Sequence, residues 1–251
     1  MRLLLDLGNT RLKWALEDGG RWHAHGAVAW DEAPTLLGSF WDSLPAPAAA
    51  FGASVVDEAR ERLVAAQVRD RFGLRIDWLR TPAAACGVRN AYPEPQRLGV
   101  DRFLAMVAAH AARAGDCLLI GVGTALTLDA LTADGQHLGG LIAPGPRLMQ
   151  QSLFGATAQV RPRSAGVLVD VADNTSDAVV SGCWQAAAAL VERFVARMQP
   201  RLCTAPAVRL DGGDAAALAP LLGLSANMVE HGVLHGLAVW AQTQSDAVAR
   251  H

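Results

Sequence analysis

The chain has 251 residues, 51% of them hydrophobic, enough to bury one large core or two ordinary ones, which excludes a disordered polypeptide. Its 22 basic and 24 acidic residues leave a formal charge of -2, so no overall field gathers nucleic acid or anionic lipid, and the balance leans toward a small-molecule partner. Cys86, Cys117, Cys183 and Cys203 are scattered without a Cys-x-x-Cys pair, and no stretch offers a secretory core or an uncharged membrane span, so a soluble cytoplasmic protein is expected.

Residues 3–5, 11–16 and 22–28 read as three short strands, parted by Gly8-Asn9-Thr10 and Asp18-Gly19-Gly20, both strong turn formers. A strand at 48–56, a helix at 57–72 and a strand at 74–79 follow, giving a β-β-β-β-α-β first half. Residues 81–96 carry prolines and a glycine without periodicity and are expected as a hinge, which puts the domains at 1–96 and 97–251. A helix over 98–114 comes next, then strands at 117–121, 126–131 and 136–142 with Ala133-Asp134-Gly135 as a turn. Long helices at 182–198 and 229–242 flank a short strand at 207–210, and the last helix is free to pack back on the first domain.

The opening pattern therefore returns. An offset of 115 lays Gly8 on Gly123, Leu4-Leu5 on Leu119-Ile120, Ala15-Leu16 on Ala130-Leu131 and Gly20 on Gly135, as one supersecondary unit used twice would. Any two apolar strands joined by a glycine turn align almost as well, so the repeat alone decides nothing.

The turns carry the chemistry. A nucleoside triphosphate needs backbone N–H groups and hydroxyls near its phosphates and an acid to organise its magnesium ion. Asp6-Leu7-Gly8-Asn9-Thr10 supplies these types in one strand-turn-strand, with Lys13 returning on the next strand, and Gly123-Thr124-Ala125-Leu126-Thr127 offers a second set. Two such hairpins facing each other would grip a phosphate chain from both sides. Neither the P-loop nor the Rossmann glycine pattern is present.

Five segments in series, Asp6-x-Gly8-Asn9-Thr10-x-x-Lys13, Gly99-Val100-Asp101-Arg102, Gly123-Thr124-Ala125-x-Thr127-x-Asp129, Gly139-Gly140-x-Ile142-x-Pro144-Gly145 and Asn174-Thr175-x-x-Ala178-Val179-x-x-Gly182, resemble the type III pantothenate kinases over nearly the whole chain. The resemblance implies an α/β chain with a duplicated actin-like, ribonuclease H-like fold, two domains each with a mixed sheet flanked by helices, and a homodimer completing the pantothenate pocket. It implies phosphorylation of pantothenate by ATP and magnesium at the first step of coenzyme A synthesis. By the same resemblance Asp6, Leu7, Gly8, Asn9, Thr10, Arg11, Leu12, Lys13 and Thr124 contact ATP, with Asp6 acting on the metal through Mg-ATP. Asp101 is similar to the family's general base, and Tyr92, Gly99, Val100, Asp101, Arg102 and Thr175 to its pantothenate-binding group.

Elementary chemistry agrees: an aspartate can orient the alcohol and take its proton late, and an arginine fork suits a carboxylate. Taken alone, Asp101 merely starts a helix and Arg102 is a solvated side chain. Where the family holds an aspartate for potassium or ammonium this chain has Gly121, the repeat partner of Asp6, so potassium-independent turnover is expected. Asp129 stands as a metal or phosphate-side candidate. Gly212 and Gly213 could admit adenine and ribose, though an ordinary strand-to-helix turn serves equally. His231 and His235 lack the metalloprotease order and read as part of a surface or interface helix, and Asp170, Asp173 and Asp177 as solvating a loop. Two alternatives stand beside the kinase: a regulatory protein that has kept the fold, and a kinase of another small molecule.

Overall fold

The run from Leu3 to Leu7 is buried throughout because it forms a strand, β1 (Arg2–Leu7), covered on both faces. The computed structural model describes residues 1–33, 40–42, 44–156 and 165–248. Leu3, Leu5 and Leu7 point into a cluster with Val64 and Val68 of α1 (Glu58–Phe72), while Leu4 points the other way, onto Leu104 of α2 (Val100–Ala111) and Leu234 and Leu237 of α6 (Gly232–Val248). Each large aliphatic side chain so enclosed contributes about 1.5–3 kcal/mol relative to exposure. Beside β1 lie β2 (Arg11–Asp18), β3 (Arg21–Ala29), β4 (Ala49–Ser54) and β5 (Ile76–Trp78), in the order β3-β2-β1-β4-β5. The two pairings of the meander are antiparallel, β4 adds in parallel beside β1, and β5 adds in parallel beside β4 through the α1 crossover. Asp57 caps α1 by accepting from the Arg60 N–H, and Gly73 closes it in the left-handed conformation.

These elements form one compact unit of Met1–Arg113, Asp134–Gln136 and His231–His251; Ala114–Ala133 and His137–Glu230 form the other. The boundary expected at residue 96 thus lies at Arg113. The reason is α2: its Val100 and Leu104 pack on the β1 sheet and on α6, where a Cβ added to Gly236 would stand 2.0 Å from the Leu104 carbonyl oxygen. Nor is the stretch expected as a hinge an open linker. It holds a small hairpin, β6 (Ala84–Ala85) and β7 (Val88–Arg89), turning on Cys86 and Gly87 at φ 51° and 81°, the double positive φ of a type I′ turn. His231 and His235 pack within this unit against Trp22, the His235 ring stacked on it at 4.5 Å.

The second unit repeats the first. β8 (Cys117–Val122), β9 (Ala125–Leu131), β10 (His137–Pro144), β11 (Ala207–Asp211) and β12 (Asn227–Met228) take the order β10-β9-β8-β11-β12, with the same antiparallel and parallel pairings. Its core joins Leu118, Ile120, Leu126 and Leu128 to Trp184, Val191 and Phe194 of α4 (Thr175–Met198) and to both ends of the short α5 (Ala215–Leu218). The hairpin is one residue shorter than its counterpart. Gly8 N–H reaches the Arg11 carbonyl, whereas Gly123 N–H reaches that of Ala125, and Leu7 pairs with Leu12 where Val122 pairs with Leu126. Ala15 of the first unit, opposite Leu4, therefore corresponds to Asp129, opposite Leu119, and the match of Ala15-Leu16 to Ala130-Leu131 slips by one.

Two helices of this unit differ from expectation. α3 (Pro146–Ala156) was not foreseen, and α4 begins at Thr175 rather than residue 182, because the Asn174 side chain accepts from the Asp177 N–H and caps it. Asp177 accordingly sits in the first turn of a helix, accepting from the Val167 N–H at 2.7 Å, not in a solvated loop. Asp116 ties the unit together: buried, it takes the N–H groups of Ala133 and Thr204 at 2.8 Å each. Desolvation pushes its carboxyl up, but these bonds and the Thr204 hydroxyl outweigh it and hold the carboxyl below its usual range.

Candidate functional site

In the first unit the turn after β1 is closed by a backbone bond, and its first carbonyl is engaged by a distant side chain. Gly8 N–H closes the turn on the Arg11 carbonyl at 3.1 Å, and the Gly8 carbonyl is held by the Trp30 indole N–H at 2.8 Å. A carbonyl so fixed cannot swing toward an anion at the exposed tip, Asn9 to Arg11. Asp6 is 5% exposed and sits across from Lys13 in the β1–β2 register. Leu7 and Leu12 are fully buried in the core, so only their main chain remains for a ligand. Trp30 was missed in the sequence; a tryptophan 22 residues beyond the glycine leaves no local signal.

Asp101 lies in the first turn of α2. Its Oδ1 accepts from the Arg102 N–H at 2.8 Å, and a Cβ on Gly99 would meet that same oxygen at 2.5 Å, so glycine at 99 leaves the carboxylate its room. Arg102 is only 6% exposed, with Nη1 donating to the Tyr92 hydroxyl at 3.3 Å and its guanidinium over the Tyr92 ring. Val100 is buried in the core and positions its neighbours rather than reaching outward. Ala53, in register with Asp6 on β4, belongs to the same cluster as Val100. By strand alternation Asp6 therefore lies on the sheet face that carries α2, and the acid of the turn and the acid of the helix share one side of this unit.

In the second unit three bare backbone segments meet at the carboxyl ends of the parallel strands β8 and β11, the usual ligand edge of such sheets. Gly145 donates to the Thr124 carbonyl at 2.8 Å, and a Cβ on it would stand 1.9 Å from the Gly123 oxygen. Gly212, at φ 111°, lies so close to Val122 that its Cβ would come within 2.3 Å of that carbonyl oxygen. Gly212 is thus set against the end of the strand that leads into the exposed Thr124, and Asp214, donating its N–H to the Val122 carbonyl, takes Arg147 Nε at 2.7 Å. Thr175 is exposed at the start of α4. Asp129 is 3% exposed and engaged by His137 Nε2 at 2.9 Å inside the β9–β10 hairpin. Among the described residues no group of three or more His, Cys, Asp or Glu side chains is placed to hold a metal ion.

Solved structures share this architecture. A Campylobacter jejuni protein described as a Baf family transcriptional activator aligns with a TM-score of 0.63 at 18% identity, over 97% of this chain and 99% of its own. Component A of the Acidaminococcus fermentans (R)-2-hydroxyglutaryl-CoA dehydratase aligns at 0.57 and 14%, over 98% of both chains. At such identities the likeness shows the fold, that of the actin-like ATPases and sugar kinases. A profile described as type III pantothenate kinase matches residues 2–197. Type III pantothenate kinases of Aromatoleum aromaticum and of Xanthomonas campestris pv. campestris are 39% and 43% identical, spanning 98% and 95% of this chain and 100% and 96% of their own. The molecule is a kinase on the duplicated actin-like fold. The chain belongs to the type III pantothenate kinase family, and its reaction is the ATP-dependent phosphorylation of pantothenate in coenzyme A synthesis.

Proposed function

We propose that Asp101 is the general base of this reaction, that Tyr92, Gly99, Arg102 and Thr175 hold pantothenate, and that the Asp6–Lys13 turn and Thr124 hold ATP. The observation that carries this reading is the shared sheet face of Asp6 and Asp101. Phosphoryl transfer asks mainly for positioning and charge neutralisation. Asp101 orients the primary hydroxyl and accepts its proton as the bond to phosphorus forms. Arg102, buried and already paired with the Tyr92 hydroxyl, offers a preset fork to the pantothenate carboxylate. Magnesium accompanies the nucleotide, with Asp6 orienting it and Lys13 answering phosphate charge. Gly145, Gly212 and Gly213 leave bare backbone for the nucleoside. The regulatory alternative is not favoured, since a protein that only binds has no need of base, fork and phosphate turn together. The cytoplasm is the setting this reaction fits, and no helix among the described residues is long and apolar enough to cross a membrane.

Potassium is not needed in this reading. Gly121 has no carboxylate, and a Cβ there would meet Thr127 Oγ1 at 2.5 Å, so the space is already filled. The carboxylate in register beside it, Asp211, has its Oδ1 taken by the Gly212 N–H at 2.6 Å. ADP release with ATP, magnesium and pantothenate is expected to proceed at a similar rate in sodium and potassium buffers. Strict potassium dependence rules this out, and pantothenate-independent ADP release under every cation overturns the kinase assignment itself.

A homodimer is part of the same proposal. On the second unit Leu141 and Ile142 of β10 are 45% and 63% exposed, and Val167, Leu168 and Val171 also face outward. The stretch bearing those valines is fastened to α4 by Asp177, Ser181 and Gln185, spaced four residues apart. So fixed an apolar surface suits a second copy. Ile142→Asp is expected to move the protein from dimer to monomer in analytical ultracentrifugation. ATP binding should persist while pantothenate turnover falls; an unchanged sedimentation coefficient would count against this face.

A further inference from the structure

Residues 82, 93 and 95 are prolines without a backbone N–H, so on either side of the β6–β7 hairpin part of the shape of the stretch between β5 and α2 falls to side chains. Asn90 does most of this. Its Oδ1 accepts from the Tyr92 N–H at 3.0 Å, the two-residue reach of an Asx turn. Its Nδ2 donates to the Pro95 carbonyl at 3.2 Å and to that of Pro82 at 3.4 Å, and its own N–H donates to the Ala83 carbonyl at 2.8 Å. One amide group thus uses both donors and its acceptor to join three separate points of the loop.

We infer that Asn90 is a positioning residue for pantothenate recognition, setting the main chain at Tyr92 so that the phenol stands against the Arg102 guanidinium. The inference rests on the proposed pantothenate-binding role of Tyr92 and Arg102. Arg102 is buried, so its fork has little water to fall back on, and the Tyr92 hydroxyl at 3.3 Å and the ring beneath it are among the groups that direct it. The far side of the loop is fixed independently: the Thr81 hydroxyl donates to the Leu98 carbonyl at 2.8 Å, directly before Gly99 and Asp101. Removing the Asn90 amide therefore loosens Tyr92 and leaves the base in place. The expected signature is a fault confined to one substrate.

Tyr92 is the sole tyrosine among the 251 residues, so protein grown with 3-fluorotyrosine gives a single fluorine resonance at the point of interest. In the unsubstituted enzyme pantothenate is expected to shift that resonance. In Asn90→Ala the resonance moves or broadens before any ligand is added, and the KM for pantothenate rises about tenfold, the equivalent of one good hydrogen bond, while kcat and the KM for ATP stay within about twofold. Asn90→Asp keeps the acceptor for the Tyr92 N–H and is expected to fall between the two; it carries the same test if the alanine variant does not fold. Equal losses for both substrates tracking a lower melting temperature, or an Asn90→Ala resonance and KM like those of the unsubstituted enzyme, overturn the inference while leaving the pantothenate site intact. A resonance in the unsubstituted enzyme that ignores pantothenate overturns it at a different point, by removing Tyr92 from the pantothenate site.

Discussion

Asp101→Asn is expected to lower kcat by about 10²–10⁴-fold, the usual worth of a general base, with the KM for pantothenate changed little. The substitution is clean because the asparagine oxygen can still accept from the Arg102 N–H that Asp101 Oδ1 now takes at 2.8 Å, so the first turn of α2 keeps its geometry. What disappears is the capacity to receive the hydroxyl proton. In a loose transition state that proton leaves late, so binding is spared and the chemical step carries the loss. Steady-state ADP release, with pantothenate varied at saturating ATP, separates the two constants. A kcat within about threefold of the unsubstituted enzyme would take the base away from Asp101.

The second large effect is expected from a single methyl group. Gly145→Ala places a Cβ 1.9 Å from the Gly123 carbonyl oxygen and 3.0 Å from that of Thr124, both backbone atoms that can yield only if the β8–β9 turn moves. A cost of about 2–4 kcal/mol is expected as a lower melting temperature. Nucleotide affinity should fall by more than about tenfold because the displaced turn carries Thr124. Gly155→Ala, near the end of α3 and no part of the proposed nucleotide site, is the control: nothing lies within 4 Å of its added Cβ, and it should melt and bind nucleotide like the parent. Calorimetric titration with a non-hydrolysable ATP analogue beside thermal melting reads both. Gly145→Ala behaving like its control would mean that the turn is not part of the nucleotide site.

Much of this architecture was legible because it is written in local patterns. The meander after Met1, the Gly8 turn and its return at Gly123 are strands and turns that a period of two and a glycine disclose. Hidden from a linear reading were features set by partners distant in the chain. The domain boundary depends on α2 packing against a helix more than 100 residues later, and the carbonyl of Gly8 is held by Trp30. The one-residue slip in the second hairpin shows only in the register, since Ala15-Leu16 and Ala130-Leu131 are the same letters. α3 follows Pro144-Gly145-Pro146, a run that carries no helical pattern of its own, although Pro146 stands first in the helix, where its missing N–H costs nothing. Among the proposed site residues, Asp6 and Thr124 stood out by type and spacing, and Asp101 through the family resemblance. Asn90 did not, because an amide among prolines looks like any loop until its bonds are seen.

The helix Gly232–Val248 has a meaning for biosynthesis. It covers the Leu4, Val100 and Leu104 face of the first sheet, yet it is synthesised after the whole intervening unit. At ordinary elongation rates the first 113 residues leave the ribosome roughly ten seconds before their closing element exists. During that interval an apolar sheet face stands open in the nascent chain. Holding factors, or the second unit folding ahead of completion of the first, must guard it, and a chain broken off near residue 230 would keep that face exposed for quality control to find.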